Sequence, residues 1–269
     1  MGLFDVHAHL TDARLAAQEA AVLDRARAAG VSTIVCNGLN PRDNEAVAAL
    51  AQRSDLVRPA FGLYPVDAVL PAMQAAGVEY PRDDPEPPAD PEHAVAWVDA
   101  HASEAFAIGE IGLDHYWVPE AHWADQERIF RQLVEIAMGA DKAIIVHSRK
   151  AERRMLEVLQ EMGATRVDWH CFGSKVKLGQ RIAAHGHWLS IPANARRNPG
   201  FRRLLETLPR DKVLLETDCP YMGPDRDALN EPANVAHTVA LAAELWAMPE
   251  EAVLDQLEDN FEALFGERP

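Results

Sequence analysis

The chain has 269 residues, 48% hydrophobic and 25% charged, which is enough apolar content for a sizeable core and excludes a disordered chain. Its 42 acids against 26 lysines and arginines give a formal charge of −16, and a field of that sign disfavours a grip along extended duplex nucleic acid. A pocket holding divalent cations escapes that exclusion, because the local positive charge governs what a small or single-stranded anion meets there.

Residues 3–7 form the first predicted strand. It leads into His7 and His9, which lie two apart and so on one face of an extended chain, where both imidazoles reach a single metal ion. Residues 13–29 read as a helix, with Leu15, Val22, Leu23 and Ala26 on its apolar face and Gly30 as its stop. Residues 31–36 are the second strand, 44–53 a helix, and 57–63 the third strand, running into Gly62-Leu63-Tyr64-Pro65. From Pro81 to Pro91 the chain reads PRDDPEPPADP, five prolines and four acids in eleven residues, which excludes helix and central strand. With its flanks, including an amphipathic stretch at 93–102, this makes an insertion over 73–104 in the third strand-to-helix connection. It is either a solvated excursion or a lid.

The fourth strand is expected at 105–110, ending on Glu110, and the fifth at 142–147, ending on His147, with a helix at 126–139 between them. A helix at 151–162 precedes the sixth strand at 166–170, which ends on His170. A helix at 177–184, the seventh strand at 187–191, a helix at 201–208 and the eighth strand at 213–217, just before Asp218, complete the alternation. Two helical stretches follow, at 232–246 and 249–264.

Eight strands interleaved with helices predict an α/β fold, a single (β/α)8 TIM barrel over 1–269. A doubly wound open sheet is the rival. The candidate ligands favour closure: in a barrel every strand C-terminus surrounds one mouth, so His7, His9, Glu110, His147, His170 and Asp218 converge, whereas an open sheet spreads them along an edge. Six such ligands make a site for two metals.

The segments DVHAHL (5–10), GEIGLD (109–114), VHSR (146–149), HCF (170–172), ETDCPY (216–221), NEP (230–232) and Asn260-Phe261 together resemble the TatD-like metal-dependent deoxyribonucleases of the amidohydrolase superfamily. The resemblance runs from Asp5 to Phe265 and implies a (β/α)8 barrel whose ligands are the same six residues. Two departures stand out. Tyr64 occupies the place of a histidine in the family's Gly-x-His-Pro segment, which puts a proton contact there in question, since a phenol with a pKa of ~10 is a poor base at neutral pH. Lys150 follows Arg149 where an acidic residue is common.

The ligand set suggests the chemistry. Glu110 is the natural bridge between two divalent ions, with His7, His9 and Asp218 completing one and His147 and His170 the other. Water between two such ions becomes a nucleophile near neutral pH, with Asp218 as base. Arg149 is expected to steady an anionic oxygen, and Tyr64 and His115 to border the substrate. Trp117 and Trp123 are more suited to packing than to base stacking, and the remaining histidines to structural or solvated roles. Imidazole-rich sites favour Zn²⁺ or Mn²⁺, while the family resemblance brings in Mg²⁺.

The expected activity is hydrolysis of phosphodiesters, on DNA ends or single strands. The alternatives are hydrolysis of a small ester, lactone, amide or aminoacyl bond, and, remotely, a non-catalytic metal-bound scaffold. No obligate protein partner and no membrane contact are expected. No apolar run approaches the ~18 residues of a spanning helix and the N-terminus enters a strand without a basic leader, so the expected location is cytoplasmic. Cys36, Cys171 and Cys219 lack C-x-x-C spacing and read as free thiols, packed on faces turned away from His170 and Asp218.

Overall fold

The structure is a computed structural model that describes residues 2–81 and 88–269. Short runs rich in valine, isoleucine and leucine, buried on both faces, form eight strands: β1 Leu3–Ala8, β2 Val31–Asn37, β3 Val57–Phe61, β4 Ala107–Asp114, β5 Ala143–Arg149, β6 Val167–Trp169, β7 Trp188–Ile191 and β8 Val213–Leu215. Each pairs in parallel with the next in chain order. The last seam closes by backbone: a bridge joins Ala8 to Cys219, the Asp218 N–H donates to the His7 carbonyl (2.9 Å), and the His9 N–H donates to the Cys219 carbonyl (2.8 Å). The result is the (β/α)8 barrel, not the open sheet.

Helices cover the outside: α1 Ala13–Ala16, α2 Glu19–Ala28, α3 Pro41–Arg53, α4 Leu70–Ala75, α5 Pro91–His101, α6 Trp123–Gly139, α7 Glu152–Met162, α8 Val176–Ala184, α9 Pro199–Thr207, α10 Val235–Trp246 and α11 Glu250–Phe265. Their apolar stripes, such as Ile129, Phe130, Leu133 and Val134 on α6, are buried against the strands. Phe261 of α11 packs edge-on to Phe4 of β1 (4.9 Å between ring centres), sealing the far end of the chain onto its beginning.

Several boundaries move. The single helix expected over 13–29 is two, broken at Gln18, whose φ of −134° is not helical. β3 ends at Phe61, two residues early, because the next residues turn inward: the Tyr64 N–H donates to the Leu39 carbonyl (2.8 Å). β4 runs four residues past Glu110, to Asp114. The last residues of the proline-rich run belong to α5, with Pro91 in its first turn and the Asp90 carboxylate capping the His93 N–H (2.9 Å). The rest of the lid reading falls on residues 82–87, outside the described residues. No helix among the described residues is long and apolar enough to cross a membrane.

Candidate metal centre

β4 delivers its carboxylate through a bulge. Ile108 pairs with Ile144 and Ile111 with Val146, so Gly109 and Glu110 together face the single residue Ile145, and the extra residue re-aims the chain. Two glycines let neighbouring backbone approach it. A Cβ on Gly62 would lie 2.5 Å from the Glu110 nitrogen and oxygen, and one on Gly112, at φ 154°, would lie 2.0 Å from the His147 carbonyl oxygen.

Glu110 is buried, and its two oxygens face two separate pairs of imidazoles. Oε2 lies 3.5 Å from His7 Nε2 and 3.4 Å from His9 Nε2; Oε1 lies 2.9 Å from His147 Nδ1 and 3.2 Å from His170 Nε2. Asp218 Oδ1 completes the first group, 3.9 Å from His7 Nε2 and 3.7 Å from His9 Nε2. The six residues expected at the mouth are therefore brought together in the structure. His7 and His9 turn their Nε2 atoms toward each other at 3.1 Å, and the His9 Nδ1–H donates to the Asn37 carbonyl (3.1 Å), which leaves the Nε2 lone pair for a ligand.

The electrostatics of the cluster follow from burial and from the proximity of carboxylates to imidazoles. Burial opposes charge on Glu110, yet the surrounding imidazoles hold it well below the usual carboxylate range. Burial drives His7 down to about 3, with the charge of His170 adding to it. Burial also opposes a proton on His9, but hydrogen bonding to Glu110 and the charges of Glu110 and Asp218 outweigh it and bring His9 to about 9. Asp218 is pushed up to about 6, chiefly by burial. Imidazole nitrogens facing one another among buried carboxylates are a donor set that fits divalent cations: Glu110 with His7 and His9, and Glu110 with His147 and His170, each bring three ligand atoms within 4.8 Å of one another.

The sequence profile of the TatD related DNase family matches residues 4–266. The chain belongs to that family. It is 31% identical to the 3′-5′ ssDNA/RNA exonuclease TatD of Escherichia fergusonii, over 98% of this chain and 99% of the relative. It is 28% identical to the uncharacterized metal-dependent hydrolase YabD of Bacillus subtilis, over 98% of both. The crystal structure of YJJV, a TatD homologue from Escherichia coli, superposes with a TM-score of 0.83 over 98% of each chain at 24% identity, which shows the shared fold. As a TatD-family member the chain is a metal-dependent hydrolase.

Three carboxylates of the TatD motifs had been given no role from the sequence. Asp114 Oδ2 accepts from His147 Nε2–H (3.0 Å), which fixes the ring with Nδ1 toward Glu110. Glu216 lies behind His170, with Oε1 3.8 Å from its Nδ1 while accepting the Cys171 N–H (2.8 Å), and its Oε2 accepts from Ser190 (2.6 Å). Asp5, pushed by burial up to about 8, accepts the backbone N–H groups of Thr217 (2.8 Å) and His7 (3.2 Å), tying β1 to the segment after β8. Their place inside the motif strings is legible in the sequence; their partners, on other strands, are not. Asp114→Ala is expected to weaken divalent-ion binding roughly 10–100-fold by freeing the His147 ring. Calorimetric titration with Mn²⁺ checks this, and unchanged affinity would remove Asp114 from the orienting role.

The expected substrate contacts divide. Tyr64 sits at the cluster, its ring edge-on to His147 (5.1 Å), and burial together with Glu110 raises its hydroxyl well above 10, so it is a proton donor and not a base. Arg149 ends β5, exposed, with its guanidinium 3.8 Å above the Tyr116 ring. His115 is not brought to the cluster: it stacks on Trp123 (3.9 Å) on the side of Glu127 and Glu152. Trp123 begins α6 and donates to the Val118 carbonyl (2.8 Å), and Trp117 packs against Tyr80, so both indoles are engaged in packing. Cys171 corrects the sequence reading. Its φ of 44° breaks the strand alternation, so the thiol lies beside the Asp218 carboxylate instead of facing away, and burial with the charge of Asp218 raises it well above the usual thiol range.

Proposed function

We propose that this TatD-family hydrolase cleaves phosphodiester bonds in DNA, at ends or in single strands, using divalent cations that Glu110 and the imidazoles around it would hold. The observation that carries the reading is the division of the Glu110 carboxylate, one oxygen toward His7 and His9 and the other toward His147 and His170. His7, His9, Glu110 and Asp218 would hold one ion; Glu110, His147 and His170 would hold the other. When bound, such a pair supplies charge for the phosphoryl oxygen under attack and lowers the pKa of water. Zn²⁺, Mn²⁺ and Mg²⁺ are the candidates.

The chain's own residues do the rest. Asp218, at the mouth beside His7 and His9, takes the proton of the attacking water and returns it to the leaving oxygen. Asp114 holds the His147 ring in place, and the Glu216 carboxylate places a negative charge 3.8 Å from His170 Nδ1. Tyr64 donates to an anionic oxygen over His147, and Arg149 steadies a phosphate at the rim. The 3′-5′ ssDNA/RNA exonuclease TatD of E. fergusonii and the human deoxyribonuclease TATDN3, 27% identical over 98% of this chain, support nucleic acid as substrate.

The test is a panel of single-stranded DNA, bis(p-nitrophenyl) phosphate and carboxyl esters, each with Mg²⁺, Mn²⁺ and Zn²⁺. Turnover of the phosphodiesters and its loss on chelation is the expected result. Turnover of carboxyl esters or amides alone would replace the reading with the small-substrate alternative.

A further inference from the structure

Two tyrosines stand out on the rim of the barrel. Tyr116 and Tyr221 are the most exposed large apolar side chains among the described residues, at 53% and 49%, and each lies against an arginine: Arg149 is 3.8 Å from the Tyr116 ring centre and Arg14 is 4.6 Å from that of Tyr221. Both are anchored to the metal centre by backbone. The Tyr116 N–H donates to Asp114 Oδ1 (2.9 Å), whose carboxylate orients His147, and the Tyr221 N–H donates to the Asp218 carbonyl (2.8 Å). The Tyr116 ring is further braced edge-on by Trp117 (5.0 Å), which in turn meets Tyr80 (5.4 Å).

Their places in the ring of strands are opposite. Tyr116 and Arg149 belong to the seam between β4 and β5, whereas Arg14 and Tyr221 belong to the seam between β8 and β1, four strands away in either direction around the barrel. A chain laid from one platform to the other passes over the cluster. We propose that Tyr116 and Tyr221 are base-stacking platforms that hold single-stranded nucleic acid across the metal centre. This rests on the phosphodiesterase reading and names how the strand is held.

Stacking also reconciles the substrate with the charge of −16. Every base presents a π-face, and the contact gains little from a basic surface, so affinity does not require a track of phosphate contacts. The arginines are unequal. Arg14 is spent on a bidentate pair with Asp12 (2.8 and 2.7 Å), while Arg149 is in no ion pair among the described residues and remains able to meet a phosphate on the Tyr116 side.

Binding is measured by fluorescence anisotropy with a labelled oligothymidylate octamer and an abasic octamer, on Asp218→Asn protein so that the strand persists. The base-bearing strand is expected to bind about a hundredfold tighter than the abasic one, tenfold for each platform. Tyr116→Ala and Tyr221→Ala should each remove about tenfold of that preference, and the Phe variants should retain it. The slope of log affinity on log salt should stay near the ~0.7 of a single phosphate contact. Equal binding of the two octamers, or alanine variants within twofold of the parent, overturns the platforms. Bis(p-nitrophenyl) phosphate hydrolysis by the parent protein, with Asp218 intact, separates the two ideas: a protein that binds as described but cleaves no phosphodiester keeps the platforms and loses the proposed function, whereas cleavage without base preference does the reverse.

Discussion

Asp218→Asn is expected to lower kcat by at least ~10²-fold while metal content falls only in part. The side chain lies 3.7 and 3.9 Å from His9 and His7, so its oxygen is placed to ligate, and its backbone is held by the His7 carbonyl at 2.9 Å, so an isosteric amide keeps the position. An amide oxygen still ligates weakly but accepts no proton at neutral pH. Rate loss should therefore exceed metal loss. Steady-state kinetics with elemental analysis of the same samples separates the two, and near-normal turnover would remove Asp218 from the base role. Cys171→Ala is a useful companion, because it removes the thiol contact to Asp218 while leaving the carboxylate, and any change in rate then reports positioning alone.

Glu110→Gln should be the more damaging change, with loss of about 10³-fold or more in activity and of both ions. A carboxylate offers an acceptor oxygen to each imidazole pair. The neutral amide keeps one acceptor oxygen and turns an NH₂ donor toward the other pair, so both pairs of rings lose the anion that makes a cation welcome between them. Electrostatic assistance by such an ion is worth several kcal/mol, and each 1.36 kcal/mol is a factor of ten in rate. Metal analysis and activity should fall together, in contrast with Asp218→Asn. Retention of two ions per chain in the Gln variant would show that Glu110 is not the bridge.

The architecture was legible because it depends on local pattern. Runs such as Ile144-Ile145-Val146 and Val213-Leu214-Leu215 are too short and too apolar for surface helices, and the stripes between them repeat with helical period, so an eight-fold alternation could be read directly. His7 and His9 were legible for the same reason, since spacing of two in an extended segment aims both at one point. The TatD resemblance rested on strings of residues contiguous in the chain, which is why it too was available.

What escaped were features that depend on pairing between strands. The bulge that sets Glu110 opposite Ile145 is a property of the β4–β5 register, and Asp114 finds His147 only because the same two strands run on past their expected ends. Cys171 looked outward under strict alternation, and its positive φ follows from how the chain leaves β6 to enter the Glu216 hydrogen bond. His115, close to Glu110 in sequence, stacks on Trp123 at the start of α6, a contact no local pattern announces. Periodicity along one strand thus determined the fold and the identity of the candidate ligands. Which atom of each ligand faces which, what holds it, and which aromatic rings stand free at the rim were decided by closure of the barrel, because hydrogen bonds between strands and contacts across the mouth join residues up to about two hundred positions apart, as Asp5 and Thr217 show.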